Sequence, residues 1–311
     1  VVLLPSGDQD DTIGNYISRN WPEIETRQFQ QEPNYGYGAQ IRASDENAPY
    51  LTSEWMHENI SQKGPLGQLY RVWGDGKQMV KNDKVDFFGF SGKTREELKE
   101  MGYFVWMPIQ EKGSWLGEGD NHTAMNMLGN GLRAYEKGTY GGWGGRTIVK
   151  KSIEVPGMSF SGSAEEMAEL LSSQNRTQPE LEEFPNYFPA AQRDFAERMK
   201  WAITPRFKEA NHAPALYIEG PLNVLVSPGQ KIKLHASATD IDGDEVDVEW
   251  SQTPVSGFST KAVFNEKKGK ITEFVIPKEA KIEEEIHVIV SATDRTVAPL
   301  TSYQRVILRI K

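Results

Sequence analysis

The sequence contains no cysteine. Disulfide bonds, thiolate catalysis and cysteine-ligated zinc sites are therefore excluded, although this absence does not identify the cellular compartment. Long hydrophobic runs are also absent, and no stretch approaches the roughly 18 apolar residues that a membrane-spanning helix needs. We therefore expect no direct insertion into a membrane.

Positive charge is scarce relative to negative charge. The 311 residues include 35 lysines and arginines against 44 aspartates and glutamates, which gives a formal net charge of -9. Nucleic acid binding requires a basic face that neutralises phosphates, and docking on an anionic membrane surface has the same requirement. The composition therefore argues against both partners, while the length allows two domains with a sizeable core.

The N-terminal residues predict a buried strand followed by acidic groups. The apolar run Val1–Leu4 is typical of such a strand, and a helix is predicted over 12–20. Asp8 and Asp10 lie between them, at the end of a strand where α/β sheets place ligand-binding groups. These acids suit a cluster that binds a metal or sugar hydroxyls. Asp10 and Asp11 equally suit capping of the following helix.

The segment 113–146 has the features of one wall of a small-molecule site. Its opening turn carries Glu118 and Asp120, and apolar residues at spacings of three and four then predict a helix from Ala124 to Leu132. The segment ends in Gly-Gly-Trp-Gly-Gly-Arg. Glycine is unfavourable in regular elements, so this block predicts a loop that passes close to another group while the indole of Trp143 is held out.

Helices and strands alternate through the first two thirds of the chain, which favours an α/β layer architecture. A long loop is expected over Gln28–Asp45. Further elements predicted here are helices over Ser53–Ser61, Thr94–Met101 and Tyr187–Trp201 and a buried strand over Tyr103–Met107.

The composition changes after Pro214, where short Val-, Ile- and Thr-rich runs are separated by turn residues. They predict an all-β sandwich of about a hundred residues with Trp250 in its core. The predicted strands are Lys231–Ala236, Glu245–Trp250, Ile271–Ile276, Ile286–Ala292 and Tyr303–Ile310. We therefore expect an α/β domain over 1–205, a linker over 206–213 and a sandwich over 214–311.

An acidic turn in the predicted sandwich is a candidate metal site. Asp240, Asp242 and Asp244 alternate about Gly243. Calcium prefers several carboxylate oxygens in a flexible loop, and Asp294 from a later strand end could join them. The alternative is a solvated acidic hairpin turn, because no long calcium-binding loop follows.

Three blocks together resemble one bacterial family. They are Glu118-Gly119-Asp120 through Gly141-Gly142-Trp143-Gly144-Gly145-Arg146, then Asp194–Trp201 with Ala210–Pro214, and finally Thr239–Asp244 with Ile286–Ile289. The chain resembles secreted proteins described as nucleoside-hydrolase-like and as cellulose-binding-protein-like, in which an immunoglobulin-type domain follows the hydrolase-like one. The resemblance implies that the first domain is the C-terminal part of a doubly wound, nucleoside-hydrolase-like α/β domain outside the cytoplasm.

The resemblance also implies a calcium site to which this chain contributes only part of the ligands. Family members begin with an acidic loop similar to the calcium-binding aspartate cluster of nucleoside hydrolases, and that loop is absent here. Asp120 is the best match for the late aspartate of that calcium shell. Nucleoside hydrolases have His directly before it, whereas here Gly119 precedes it and His122 follows. We expect an upstream segment, or a separate chain, to complete the domain.

Two functions are compatible with these residues. The first is hydrolysis of a glycosidic or N-ribosidic bond in a carbohydrate or nucleoside-like small molecule, which passes through an oxocarbenium-like transition state that needs acids around the sugar. In that reading Glu118 and Asp10 act in catalysis, and the substrate-binding residues are Asp8, His122, Trp143 and Arg146. The second is a non-catalytic cell-surface module that uses the same segment, 113–146, to bind carbohydrate or a partner protein.

Overall fold

The computed structural model describes residues 2–3, 16–31, 35–36, 39–40, 44–117, 124–149, 184–253 and 260–311. Its contacts divide the chain into two compact units. The first unit comprises Val1–Met125, Trp143–Thr177 and Arg198–Pro205, and the second comprises Asn126–Gly142, Gln178–Glu197 and Arg206–Lys311. The second unit therefore contains the predicted sandwich together with two segments that the sequence placed in the first domain.

The first unit contains a three-stranded sheet in the order β1-β2-β3. Its strands are β1 (Val2–Leu3), β2 (Glu25–Gln31) and β3 (Arg146–Val149). β1 runs parallel to β2, and β2 runs antiparallel to β3 with an irregularity between Phe29 and Gln31. The predicted N-terminal strand is confirmed. The long loop expected from Gln28 is wrong at its start, because β2 continues to Gln31.

The helices of the first unit are short. They are α1 (Ser18–Asn20), α2 (Ser53–Met56), α3 (Gly64–Leu69) and α4 (Arg95–Glu100), and α2 continues as a π-helical turn over His57–Ser61. The Thr94 hydroxyl accepts the Glu97 N–H at the start of α4, and the Glu97 carboxylate accepts the Thr94 N–H. This reciprocal cap satisfies two otherwise unpaired donors. The predicted helices at 53–61 and 94–101 are confirmed.

An aromatic cluster forms a core of the first unit. Trp73 is 1% exposed, and its ring meets Phe88 edge-on with centroids 5.2 Å apart. Val105 and Met107 are buried in the same cluster. The strand predicted over 103–107 is wrong, because the backbone there bonds to turns instead: the Phe104 N–H donates to the Lys84 carbonyl. Its apolar residues fill the core without pairing in a sheet.

The second unit contains a two-sheet sandwich. One sheet has the order β5-β10-β9-β7 and the other β4-β6-β8. The strands are β4 (Ala215–Ile218), β5 (Asn223–Val226), β6 (Lys231–Thr239), β7 (Val246–Thr253), β8 (Ile271–Val275), β9 (Glu285–Asp294) and β10 (Thr301–Ile310). All five predicted strands are confirmed within a few residues. β4 and β5 were not predicted, because four residues are too few to show an alternating pattern.

Inward-facing side chains of both sheets form the core of the sandwich. Residues along β6 alternate between buried and accessible, as expected for a strand with one face on a core. Trp250 is fully buried among them, and its indole N–H donates to the Gly269 carbonyl at 2.8 Å. The core role predicted for Trp250 is confirmed.

The longest described helix is α5 (Phe188–Trp201), which confirms the helix predicted over 187–201. In the second unit Phe188 and Ala191 are buried, and the Arg193 side chain donates to the Pro299 carbonyl at 2.7 Å. Within the described ranges, no helix combines the length and hydrophobicity needed to cross a membrane.

Candidate functional site

Five of the predicted site residues lie outside the described residues. They are Asp8, Asp10, Glu118, Asp120 and His122. Their assignments to catalysis, substrate binding and metal binding therefore stay predictions.

Trp143 and Arg146 are both only 3% exposed. The expectation that the Trp143 indole is held out is wrong, because the glycine loop packs inward. A Cβ on Gly142 would lie 2.9 Å from Asn126 Oδ1 and 2.9 Å from Ala134 Cβ. The close backbone approach predicted for this loop thus occurs against protein. Replacing Trp143 by Ala should cost about 3–5 kcal/mol of stability, as for other buried aromatics. Its substrate-binding role stays a prediction.

The helix predicted from Ala124 to Leu132 is also wrong for its larger part, since only Ala124 and Met125 are helical and the residues after them form turns. Gly131 has φ 89°, which a right-handed helix does not contain, and a tertiary contact replaces the helical hydrogen bonds. The Tyr303 N–H of β10 donates to the Asn130 carbonyl at 3.2 Å. Residues 126–142, hereafter the 126–142 segment, therefore attach to the edge of the sandwich instead of continuing a helix.

A buried arginine in β10 holds this segment from beneath. Arg305 is 0% exposed, and its guanidinium donates to the carbonyls of Leu132 at 2.6 Å and Gly141 at 2.8 Å. A third contact, at 2.8 Å, joins it to Nδ1 of the buried His287. Because arginine can only donate, this nitrogen must be the unprotonated acceptor, and Nε2 of His287 then donates to Glu285 at 3.1 Å.

The pKa values of these hydrogen-bonded buried groups are shifted. Burial lowers the pKa of His287 to about 4, against the opposing effect of Glu285. The hydrogen bond from His287, with a second from Arg309, lowers the pKa of Glu285 to about 2. Burial lowers the pKa of Arg305 to about 10, so the guanidinium remains charged at neutral pH. All the groups in this hydrogen-bonded series belong to the second unit. We therefore assign the series a structural role, the anchoring of the 126–142 segment.

A second arginine anchors the segment from within. Arg133 has φ 58°, a left-handed backbone conformation that is unfavourable for a side chain larger than glycine. Its guanidinium binds Glu136 at 2.7 Å and also donates to Asn223 Oδ1 at 3.0 Å and to the Arg305 carbonyl at 3.3 Å. These bonds offset the backbone strain. No sequence pattern pointed to Arg133, Arg305 or Glu285. Arg305 lies on the face of the strand opposite the core residues Val306, Leu308 and Ile310, where a charged residue is ordinary.

The acidic turn brings the three predicted aspartates together. Asp240, Asp242 and Asp244 each place a carboxylate oxygen within 4.8 Å of the others. Partial burial and the charges of Asp240, Asp294 and Asp242 raise the pKa of Asp244. One buried oxygen of Asp240 has no hydrogen-bond donor among the described residues. This donor set fits a hard divalent cation such as calcium.

Part of the same turn has a structural role. Asp242 accepts the His212 N–H at 2.8 Å, and the His212 ring nitrogen lies 3.1 Å from the same oxygen. Asn211 next to it donates to Asp294 at 3.1 Å. The end of the predicted 206–213 linker is therefore fastened to the sandwich, and Asp242 is partly committed to that contact.

Calcium binding by this turn stays a prediction with a direct test. We expect millimolar calcium to raise the melting temperature of the full chain, because a bound cation relieves the repulsion among Asp240, Asp242 and Asp244. Asp244→Asn should remove most of this rise. Asp120→Asn should keep this rise, because the separate site predicted at Asp120 also needs the acidic loop of the upstream segment. An unchanged melting temperature of the wild type in calcium would reject the site in the acidic turn.

A groove of about 490 Å³ lies on the second unit beside the 126–142 segment. It is lined by the first half of β10, including Ser302 and Gln304, by the 126–142 segment with Tyr135, and by β4 with Tyr217. The two tyrosines are 51% and 65% exposed. Sequence analysis identified neither, since single exposed aromatics give no pattern.

Two family models match the sequence. Residues 2–147 match the nucleoside hydrolase-like domain of cellulose-binding Sde182, and residues 231–310 match the C-terminal domain of cellulose-binding protein Sde0182. No curated protein matches the sequence.

Among solved structures, a nucleoside hydrolase-related hypothetical protein from Saccharophagus degradans, described as associated with carbohydrate metabolism, has a TM-score of 0.62 and 21% identity. The match covers 96% of this chain and 60% of that one, so the chain spans less than two thirds of that protein's length. At this identity the likeness shows the fold alone.

Smaller matches involve about a third of the chain. Fibronectin(III)-like modules of Clostridium thermocellum CbhA match 32% of this chain and 47% of theirs, at 20% identity and a TM-score of 0.23. Murine CRIg matches 32% of this chain and 99% of its own, at 13% identity and a TM-score of 0.24. Neither match supports a further conclusion. Both family models describe parts of cellulose-binding proteins, one of them a nucleoside hydrolase-like domain, so the chain is similar to that family over residues 2–147 and 231–310.

Proposed function

We propose that this chain acts outside the cytoplasm as a carbohydrate-binding protein whose ligand is a cellulose-like glucan. One observation carries the proposal: both family models that match the chain, at 2–147 and at 231–310, describe a cellulose-binding protein. The net charge of -9 fits a neutral ligand and disfavours nucleic acid. Cellulose is an extracellular polymer, and this supports the proposed location.

The test is depletion of the full chain from solution by insoluble polysaccharide. We expect microcrystalline cellulose to retain the protein, and soluble cello-oligosaccharides to release it by competition for the same site. Albumin, another acidic protein, serves as the control for nonspecific adsorption. Retention equal to that of albumin on cellulose, xylan and chitin alike would contradict the proposal.

Hydrolysis of a glycosidic or N-ribosidic bond is the second candidate function. It is favoured by the fold shared with a nucleoside hydrolase-related protein over 96% of the chain. Such a reaction needs carboxylates that protonate the leaving group and stabilise the developing positive charge. Glu118 and Asp10 are the proposed carboxylates and Asp120 the proposed calcium ligand. Asp8, His122, Trp143 and Arg146 are the proposed contacts to substrate.

The same incubations test hydrolysis if released sugar or base is measured. A hydrolase should release reducing ends or free base in proportion to time and enzyme, and Glu118→Gln should reduce the rate by at least about a hundredfold, as expected for loss of a general acid. Retention on cellulose without release of reducing ends or free base would support binding and contradict hydrolysis.

A further inference from the structure

We propose that the groove lined by Tyr135, Tyr217 and the first half of β10 is the site where the second unit binds a neutral, extended carbohydrate chain. This inference rests on the proposed carbohydrate-binding function and adds the site and the chemistry of recognition. All the lining residues belong to the second unit. The volume of about 490 Å³ lies within the range of small-molecule sites.

The two tyrosines supply surfaces suited to sugar rings. Tyr135 is 51% and Tyr217 65% exposed, whereas Tyr187 and Tyr303 of the same unit are buried. A pyranose ring presents an apolar face of C–H groups and a polar rim of hydroxyls. A tyrosine matches both, because its ring face is apolar and its hydroxyl forms hydrogen bonds at the edge. Two exposed tyrosines from different segments, the 126–142 segment and β4, allow contacts to more than one sugar unit.

The charge of the groove favours a neutral ligand. Its charged lining residues are Arg133 and Glu136, whose side chains pair at 2.7 Å. Their hydrogen bond raises the pKa of Arg133 and lowers that of Glu136, so both remain ionised and cancel each other's charge. A phosphate or an acidic sugar would find no uncompensated cation among these lining residues. Hydroxyl groups can be bound by Ser302, Gln304 and the amide nitrogen of Asn223.

The backbone around the groove disfavours a peptide. A peptide strand would add to a sheet edge through unpaired N–H and C=O groups. Here the Tyr303 N–H already donates to the Asn130 carbonyl at 3.2 Å. The Leu216 carbonyl of β4 accepts the Gln304 side chain, also at 3.2 Å. These two bonds occupy backbone groups that an added strand would use, which favours recognition of a sugar chain through side chains.

Affinity measurements on the full chain test the site. Wild type and variants are titrated with cellohexaose and with a soluble β-glucan by calorimetry and affinity electrophoresis. We expect Tyr135→Ala and Tyr217→Ala each to weaken binding at least about fivefold, as for aromatic contacts at other binding sites, and the double variant to lose it. Tyr→Phe at either position should retain most of the affinity. The matched control is Tyr16→Ala, whose 58% exposed side chain lies in the first unit.

The outcomes separate the site from the function. If wild type and the double variant bind equally, the groove proposal is overturned while the carbohydrate-binding function stands. If wild type binds no carbohydrate, the function fails and the groove proposal fails with it. Unchanged melting temperatures exclude a folding defect. If the double variant unfolds, Ser302→Trp, which places a large side chain in the lining of the groove, must abolish binding for the proposal to hold. Competition by a polyanion such as heparin would also overturn it, because the lining carries no net charge.

Discussion

Gly131→Ala should destabilise the second unit by about 2–4 kcal/mol, from strain in the left-handed region together with a steric clash. Gly131 has φ 89°, and a Cβ built on it would lie 1.7 Å from the Tyr303 carbonyl oxygen. That oxygen belongs to β10 in the sandwich, so it cannot move aside as a flexible side chain would. Relief requires the 126–142 segment to leave the sheet edge.

Two other glycines separate the causes of this effect. Gly220 has φ 95° with no atom within 4 Å of its Cβ position, so Gly220→Ala should show the backbone strain without the clash, about 1–2 kcal/mol. Gly129 has neither a positive φ nor a neighbour, and Gly129→Ala should change stability little. Chemical denaturation gives the stabilities, and hydrogen exchange over 126–142 reports detachment. Equal losses of stability for Gly131→Ala and Gly220→Ala would show that the close approach of Gly131 to β10 adds nothing to the backbone strain.

Arg305→Met should have a comparable or larger effect, about 3–5 kcal/mol, as when one partner of a buried charged network is removed. The side chain is fully buried, and its loss leaves the carbonyls of Leu132 and Gly141 and Nδ1 of His287 without their donor. Arg309→Met is the matched control on the same strand. Its side chain is 53% exposed and binds Glu285 at 2.6 Å, so we expect a loss of about 1 kcal/mol or less.

The pH dependence of stability provides a second measurement on the same network. His287 has a folded-state pKa of about 4 against an ordinary value of 6.5. The unfolded chain therefore takes up this proton first, and the stability that neutral His287 contributes is lost as the pH falls from 6.5 towards 4. Glu285 extends this loss of stability to lower pH, from pH 4.5 towards pH 2. His287→Gln should flatten the first part of the profile; an unchanged slope there would contradict the buried, neutral histidine.

Much of the fold followed from local patterns. The helices at 53–61 and 94–101 were predictable because apolar spacing and the Thr94–Glu97 cap are read over a few residues. The sandwich was predictable because its long strands alternate between a core face and an accessible face, as β6 does. The acidic turn was predictable as a cluster because its aspartates are two residues apart.

The candidate site was less predictable. Helical spacing from Ala124 to Leu132 suggested a helix, yet the Asn130 carbonyl bonds to β10 instead. The glycines around Trp143 indicated a close approach correctly, but nothing in the sequence distinguished a ligand from protein as the neighbouring group. Tyr135 and Tyr217 are far apart in the sequence and lie on one groove only because the 126–142 segment docks beside β4 and β10.

The sequence by itself determined the absence of cysteine chemistry, the α/β part followed by a sandwich, and the core position of Trp250, because composition and periodicity are properties of local residues. Only the tertiary structure decided where the 126–142 segment lies, which glycines meet protein, and that Arg305 is buried beneath it. Those outcomes depend on bonds between residues up to 173 positions apart, such as that from Arg305 to the Leu132 carbonyl. No local sequence pattern encodes such a pairing, because the hydrogen bond contributes to stability only when both segments have folded against each other.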